Sequence, residues 1–180
     1  CQKEYLLAFH KPAGIVCTTS KIDKNNVIDY LNFPERIYPV GRLDKESTGL
    51  LLLTNNGQLM DDVLRGSNYH EKEYIVHVNK PITDSVLQAM AQGVPILDTI
   101  TRPCKIRRMG KDCFYITLTQ GLNRQIRRMC EYFDYRVTSL KRIRIMNIEL
   151  GSLPVGKWRE LTPSEIKTLK NLAQNKGEAE

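Results

Sequence analysis

Leu50-Leu51-Leu52-Leu53-Thr54 is the stretch that most limits what this chain can fold into. It is apolar, of strand length, and reads as a core strand. The chain reaches it through Gly41-Arg42-Leu43-Asp44-Lys45-Glu46-Ser47-Thr48-Gly49, a glycine-flanked turn with Asp44 at its centre. Gly41 and Gly49 allow a tight path there. An aspartate in such a turn can cap its own backbone in an Asx-turn or pair with a neighbouring lysine. It can also be a reactive group carried on a loop and positioned by a rigid scaffold. Local pattern alone favours the first account.

Further strand-like runs fall at about 5–9, 15–18, 49–54, 73–78, 101–107, 113–119 and 137–148, rich in Ile, Val, Leu, Tyr and Thr. Residues 137–148 alternate, with Val137, Ser139, Lys141, Ile143 and Ile145 on one face and Thr138, Leu140, Arg142, Arg144 and Met146 on the other. Helix-like stretches fall at about 26–32, 57–65, 83–92, 123–133 and 163–172. The last begins with Thr162 as N-cap, Pro163 next and Glu165 three after the cap; Thr83 starts the 83–92 helix in a similar way. Strands and short helices intersperse without strict β-α-β alternation, which predicts an α+β domain around a substantial sheet. No internal repeat or linker divides the 180 residues, so residues 1–172 read as one domain and 173–180 as a flexible tail.

Composition narrows the function. Hydrophobic residues are 41 % and charged residues 26 % of the chain, enough for a packed core. No stretch approaches the ~20 apolar residues of a membrane span, and Cys1-Gln2-Lys3-Glu4 lacks a signal peptide's apolar region. Five cysteines without C-x-x-C spacing and three scattered histidines predict reduced thiols in a cytoplasmic protein and no metal site. Cys130, after Met129, reads as core. Nucleotide-binding glycine loops and a serine nucleophile elbow are missing from the sequence. The net charge is +7, yet the segment Arg102–Arg144 holds twelve Lys/Arg against three Asp/Glu, a net +9, and the remainder nets −2. Such asymmetry points to a polyanion partner, nucleic acid first, with Arg107 and Arg108 among the contacts; a solvated basic face is the plainer alternative.

Two other stretches bear chemistry. In "HEKEYIVHV" (70–78) Tyr74 sits mid-strand, either as half-buried packing or as an aromatic face on which a base stacks, with a hydroxyl in reserve. In "QGLNRQIRRM" (120–129) Asn123 is a plausible helix cap, and Arg124, Arg127 and Arg128 fall at i, i+3 and i+4 on one helix face. Ile126, Met129, Cys130 and Phe133 form the apolar side. Clustered arginines suit a phosphate, or a carboxylate such as Asp44.

Taken in order, "HKPAGIVCTTS", "PVGRLDKESTGLLLLTN", "HEKEYIV", "VPILDTITRPCKI", "QGLNRQIRRM" and "RIRIMNIELGSLPVGKWRELT" resemble the RsuA/RluB/RluE/RluF group of bacterial pseudouridine synthases, nearest its RluF branch. The likeness spans roughly residues 5 to 172. It implies the pseudouridine synthase fold, a bent, mostly antiparallel mixed sheet flanked by short helices with a central cleft. It implies an isomerase that converts chosen uridines, mostly in ribosomal RNA and here in 23S RNA, to pseudouridine with no cofactor and no metal, as a monomer. The family's catalytic aspartate matches Asp44, its tyrosine Tyr74, its aspartate-pairing basic residue Arg127, and its packing leucine Leu140. Lys11 and Arg42 lie in loops expected to line the cleft, with substrate contact and a structural role equally open, and Asn123, Arg124 and Arg128 fall where substrate contacts are expected. Members commonly carry an N-terminal S4-type RNA-binding domain; this 180-residue sequence starts just before the catalytic domain and does not contain one. If the protein itself lacks that domain, and the sequence is not simply a trimmed piece, target choice would rest more on the basic segment.

The reaction cuts the uracil N1–C1′ bond, turns the base and joins C5 to C1′. Asp44 could attack C1′, attack C6, or remove a ribose proton; the residues do not choose among these. Each route needs an ionised carboxylate with a cation beside it. Rival readings are a synthase acting on transfer RNA, a non-catalytic RNA-binding protein of the same fold, and a cysteine-based hydrolytic or redox enzyme.

Overall fold

The computed structural model describes residues 3–65 and 69–174. In chain order the elements are β1 (Leu6–Lys11), α1 (Val27–Leu31), β2 (Tyr38–Pro39), β3 (Thr48–Thr54), α2 (Gly57–Leu64), β4 (Lys72–Val78), α3 (Asp84–Gln92), β5 (Pro95–Ile96), β6 (Thr99–Ile100), β7 (Lys105–Gly110), β8 (Cys113–Leu118), α4 (Gln125–Tyr132), β9 (Val137–Ile145), β10 (Ile148–Glu149), β11 (Trp158–Glu160) and α5 (Pro163–Gln174). The result is the expected α+β architecture. One nine-stranded sheet runs β11-β1-β3-β9-β4-β8-β7, with β10 on β9 and β2 on β3, while β5 and β6 form a separate hairpin.

Every pairing in the large sheet is antiparallel except one. β3 and β9 run parallel, in contact only at Thr48↔Lys141 and Gly49↔Arg142. That short seam divides the sheet into two halves. In the first half the continuous apolar run finds its reason. Leu50 and Leu52 join Leu6 and Ala8 in a core closed by Leu59 and Val63 of α2 and Leu169 and Ala173 of α5. Leu51 and Leu53 join Leu7 and Phe9 in a second core with Val27 and Ile37 on the opposite face. A strand buried on both faces has no polar side to alternate with. The second half packs one face, through Val76, Val78, Phe114, Ile116 and Leu118, onto Leu87 and Met90 of α3 and Ile126, Met129 and Cys130 of α4. Its edge strand β7 is mostly exposed.

Gly49 makes the seam possible. Its φ is +110°, and a Cβ there would stand 2.2 Å from the Arg142 carbonyl oxygen. Only glycine lets the two backbones approach so closely.

Several sequence expectations change in detail. The stretch 15–18 forms only an isolated bridge, Val16↔Asn26. The strand expected over 101–107 begins at Lys105. The alternation over 137–148 does not survive. Register shifts opposite Glu73/Tyr74 and His77/Val78 leave Val137, Leu140, Arg142 and Ile145 as the buried positions of β9, and the chain turns at Met146, φ +54°, before β10. Bulges of this kind are set by pairing, which residue parity cannot reveal. The capping expectations for α3 and α5 hold. The Val86 N–H donates to Thr83 Oγ1 at 3.2 Å, and Thr162 and Glu165 bond reciprocally at 2.9 and 3.1 Å. Helix α5 continues to Gln174 with Ala173 buried, two residues beyond the expected end; the rest of the expected tail, and Cys1, lie outside the described residues. None of the described helices is long and apolar enough to cross a membrane, and no His/Cys/Asp/Glu group of metal-binding geometry occurs among the described residues.

Candidate active site at the sheet seam

The turn before β3 is closed by its own backbone, the Ser47 N–H donating to the Asp44 carbonyl at 3.0 Å. The Asp44 side chain takes no part in that turn, so neither a self-capping aspartate nor an Asp–Lys pair describes it. It faces α4 instead. Arg127 Nε donates to Asp44 Oδ2 at 3.1 Å, and Arg127 Nη2 donates to Ser47 Oγ at 3.0 Å. Arg124 Nη1 reaches the same Oδ2 at 3.3 Å and Glu46 at 3.8 Å. The Arg127 side chain is only 13 % exposed and Arg124 43 %. The first pair is therefore the firmer anchor, and the second, screened by water, is worth about 0–1 kcal/mol at most. Oδ1 of Asp44 accepts no hydrogen bond from the described residues.

The loop is gripped from behind by Lys11. This lysine is fully buried and donates its ammonium to the carbonyls of Pro12, Lys45 and Ser47 at 2.9, 3.2 and 2.7 Å. Burial pushes its pKa down, with Cys17, Asp44 and Glu46 opposing. All three donors are engaged, so Lys11 positions the Asp44 loop and cannot also contact a substrate, as its place in the sequence suggested. Below the loop, the Leu43 N–H points at Cys17 Sγ, 3.4 Å away, and the Leu43 side chain is buried.

Tyr74 lies on β4 opposite Arg142 of β9 and packs against the cores on both sides of the seam. Leu140 is buried in the same neighbourhood, and its carbonyl accepts from Thr48 Oγ1 at 3.4 Å. Arg42 is exposed, its backbone carbonyl taken by Arg142.

The three arginines expected on one face separate. Helix α4 begins one residue later than expected. Its cap is Arg124, in the left-handed region at φ +50°, with no side-chain capping bond, and not Asn123. Non-glycine residues are held there at a cost of about 1–3 kcal/mol, typically near functional sites. The twist brings Arg124 round to Asp44 beside Arg127, while Arg128 turns back to Asn123, donating to its carbonyl and Oδ1 at 2.9 and 3.0 Å. The apolar side of the helix is as expected, and burial pushes the Cys130 thiol up to about 12. Cys104 is likewise pushed up to about 11. Neither is a thiolate nucleophile at neutral pH.

Much of the basic excess in Arg102–Arg144 is answered by acids from elsewhere. Arg144 bonds Glu71 and Glu73, Lys105 pairs with Glu71, and Arg108 donates to Asp84 and to the carbonyls of Ile82, Gly110 and Lys111. Arg108 is thus a clamp between the start of α3 and the β7–β8 turn. Arg107 stacks on Tyr115, 4.1 Å from the ring centroid, on the open face of the sheet. Sequence reasoning also missed Arg142 as a site residue. Only 3 % exposed, it donates Nε to the Leu50 carbonyl at 2.8 Å and ties β9 to β3 across the seam. Its place in a basic alternating strand was the only signal, and that signal pointed outward.

The chain thus combines a mixed sheet with a single parallel pairing and an aspartate held by arginine beside that pairing. The family model for RNA pseudouridylate synthase matches residues 5–132, and the chain belongs to this family. Among individual proteins it is 53 % identical over 169 residues to the dual-specificity RNA pseudouridine synthase RluF of Salmonella typhi, across 94 % of this chain and 58 % of that one. It is 34 % identical over 175 residues to ribosomal large subunit pseudouridine synthase B of Bacillus subtilis, across 92 % and 71 % of the two chains. A pseudouridylate synthase crystal structure superposes with a TM-score of 0.86 at 30 % identity, covering 94 % of this chain and 75 % of that one. The chain thus spans under three fifths of the length of its RluF relative.

Proposed function

We propose that this chain is the catalytic domain of an RNA pseudouridine synthase that isomerises particular uridines in ribosomal RNA, with Asp44 as the acting carboxylate. The observation that carries this reading is the geometry of Asp44. Two guanidinium groups converge on Oδ2 while Oδ1 accepts no hydrogen bond from the described residues, in a chain of this family. One oxygen is held and the other is free to act, a preorganised arrangement that lowers a barrier without reorganisation at the moment of reaction.

The chemistry balances within the substrate. The N1–C1′ bond breaks, the freed uracil turns, C5 bonds to C1′, the C5 proton leaves to solvent and N1 gains one. No electrons are transferred, so the stoichiometry calls for no cofactor. Oδ1 of Asp44 can attack the base or the sugar, or accept a ribose proton. Arg127 fixes the carboxylate throughout, and Lys11 and Ser47 fix the loop that bears it. The uridine must first leave its stack, at a cost of roughly a few kcal/mol. Stacking on Tyr74, worth about 1–3 kcal/mol in comparable sites, offsets part of this; Arg42, exposed beside Asp44, is placed to add a phosphate contact, and Arg107, on the opposite sheet face, to meet a more distant segment of a large RNA. The Tyr74 hydroxyl stands as a second, weaker candidate for handling the C5 proton.

Transfer RNA is the second substrate class to be tested, because the RluF relative is named as dual-specificity and the chemistry is the same. The decisive experiment is tritium release. The protein is incubated in buffer alone with ribosomal RNA transcripts whose uridine C5 carries tritium. Wild-type protein is expected to release label, and Asp44→Asn, folding normally and still binding RNA, to fall at least about a thousandfold. Appreciable turnover by Asp44→Asn would remove Asp44 from its role. Release only from transfer RNA would move the assignment to that substrate. Binding without release from either RNA would favour an RNA-binding protein of the same fold.

A further inference from the structure

A partly buried cation near the seam has no counter-charge among the described residues. Lys72, the first residue of β4, lies on the same strand face as Tyr74, two residues and about 6.5 Å along the strand. Its side chain makes no hydrogen bond or ion pair with the described residues. The neighbouring carboxylates are engaged elsewhere. Glu73 points to the opposite face, where it meets Arg144, and Glu71 is held by Lys105 and Arg144. Across the sheet its register partners are Leu118 and Ile145, both apolar. The charged group that acts on it is Arg142, another cation. Arg142 is itself incompletely satisfied, for its Nη2 is buried without an acceptor. Burial first, and Arg142 second, push Lys72 down to about 8.

A largely buried lysine whose one charged influence is another cation, Arg142, is a costly arrangement for the free protein unless an anion completes it. Several neighbouring cations already have partners, while Arg42 is exposed to water. Arg124 and Arg127 have Asp44, Lys11 has three carbonyls, and Arg144 has two glutamates.

We propose that Lys72, with Arg142 beneath it, forms an anion site that takes a backbone phosphate of the substrate RNA next to the extruded uridine. This rests on the synthase reading for the nature of its ligand. Lys72 donates to the phosphate oxygens directly, and buried Arg142 adds its field from below while tying the seam. A base stacked on Tyr74 leaves its sugar toward Asp44 and its strand free to run along β4, where Lys72 is the next residue on that face. The phosphate supplies the negative charge the site lacks, and the lysine grips the strand at the point where it must be held open.

The test is RNA affinity measured against KCl concentration for wild type, Lys72→Gln and Lys72→Arg, on a ribosomal RNA fragment that the wild type modifies or, failing modification, binds. Lys72→Gln should bind about tenfold more weakly at 0.1 M salt, with the log–log salt slope reduced by about 0.7–0.9, the value for one phosphate contact. Lys72→Arg should restore both, and kcat/KM should fall in step with affinity. Wild-type affinity and slope in Lys72→Gln would overturn the proposal. So would weakened binding with an unchanged slope, or a lowered melting temperature in both variants, since these mark a packing role. Inorganic phosphate separates the sources. If it binds the wild type and not Lys72→Gln while RNA affinity is indifferent to the substitution, the site is for free phosphate and the strand assignment fails. Tritium release by wild type is scored independently, so an inactive protein would sink the synthase reading without deciding the fate of the anion site.

Discussion

The two halves of the sheet share one hydrogen-bonded ladder and differ in almost everything else. In the half formed by β11, β1 and β3 both faces are covered, and the four leucines of β3 are all buried. In the half formed by β9, β4, β8 and β7 one face is covered by α3 and α4, while Arg107, Lys105 and the Glu73–Arg144 pair occupy the other. The first half is a platform and the second a working surface. The reactive loop springs from the start of the platform strand and is gripped from both halves, by Lys11 of β1 and by Arg124 and Arg127 at α4. The difference teaches why the site lies at the seam. A carboxylate must be held rigidly and still be reached by a large polyanion, and the seam, where the loop before β3 meets α4 at the margin of both cores, offers both.

The seam is where the comparison breaks most easily. Gly49→Ala drives a methyl group into the Arg142 backbone at a φ of +110°, so a loss of about 3 kcal/mol or more is expected, with synthase activity falling alongside. Denaturant melts check it, and near-native stability would mean that the two halves do not depend on that close approach. Next come matched truncations in the two halves. Leu52→Ala, at a site 1 % exposed, should cost about 2–5 kcal/mol. Ile75→Ala, on the half-covered face of β4, should cost about 1 kcal/mol or less. Equal losses would show that the second half is as enclosed as the first.

A smaller effect separates two adjacent arginines. Arg108→Ala should lower stability by about 1–2 kcal/mol, because it abandons bonds to Asp84 and three carbonyls, and should leave the salt dependence of RNA binding unchanged. Arg107→Ala should do the reverse, reducing the salt slope by about 0.7–0.9 with little change in melting. The smallest effect is expected in the platform half, at the start of α5. Arg159 holds the Glu165 carboxyl down at about 2 from a usual 4.5, helped by the Thr162 backbone. A depressed carboxylate contributes stability above its unfolded value and loses it as pH falls through the folded one. Glu165→Gln should therefore melt below wild type at neutral pH, with the gap narrowing from about pH 4.5 and closing near pH 2. A gap independent of pH would mean that packing, and not the ion pair, holds that helix.

What could be read without coordinates was local or patterned. The apolar β3 run, the N-cap of α3, the capping box of α5, the apolar side of α4 and the ordered motifs around Asp44, Tyr74 and Arg127 are all written within a few residues of each other. They follow from short-range sterics, hydrogen bonding and hydrophobic periodicity. Family likeness supplied the pairing of Asp44 with Arg127, which lie 83 residues apart; composition could suggest only that arginines want an anion. The tertiary structure alone decided the rest. It placed the bulges that bury Arg142, turned Arg124 into the left-handed region so that it reaches Asp44, closed Lys11 on three carbonyls and left Lys72 without a partner among the described residues. Each of those outcomes is a contact between segments far apart in the chain. A basic residue looks the same in sequence whether it meets water, a carbonyl or a carboxylate, and its partner is chosen only when the strands pair.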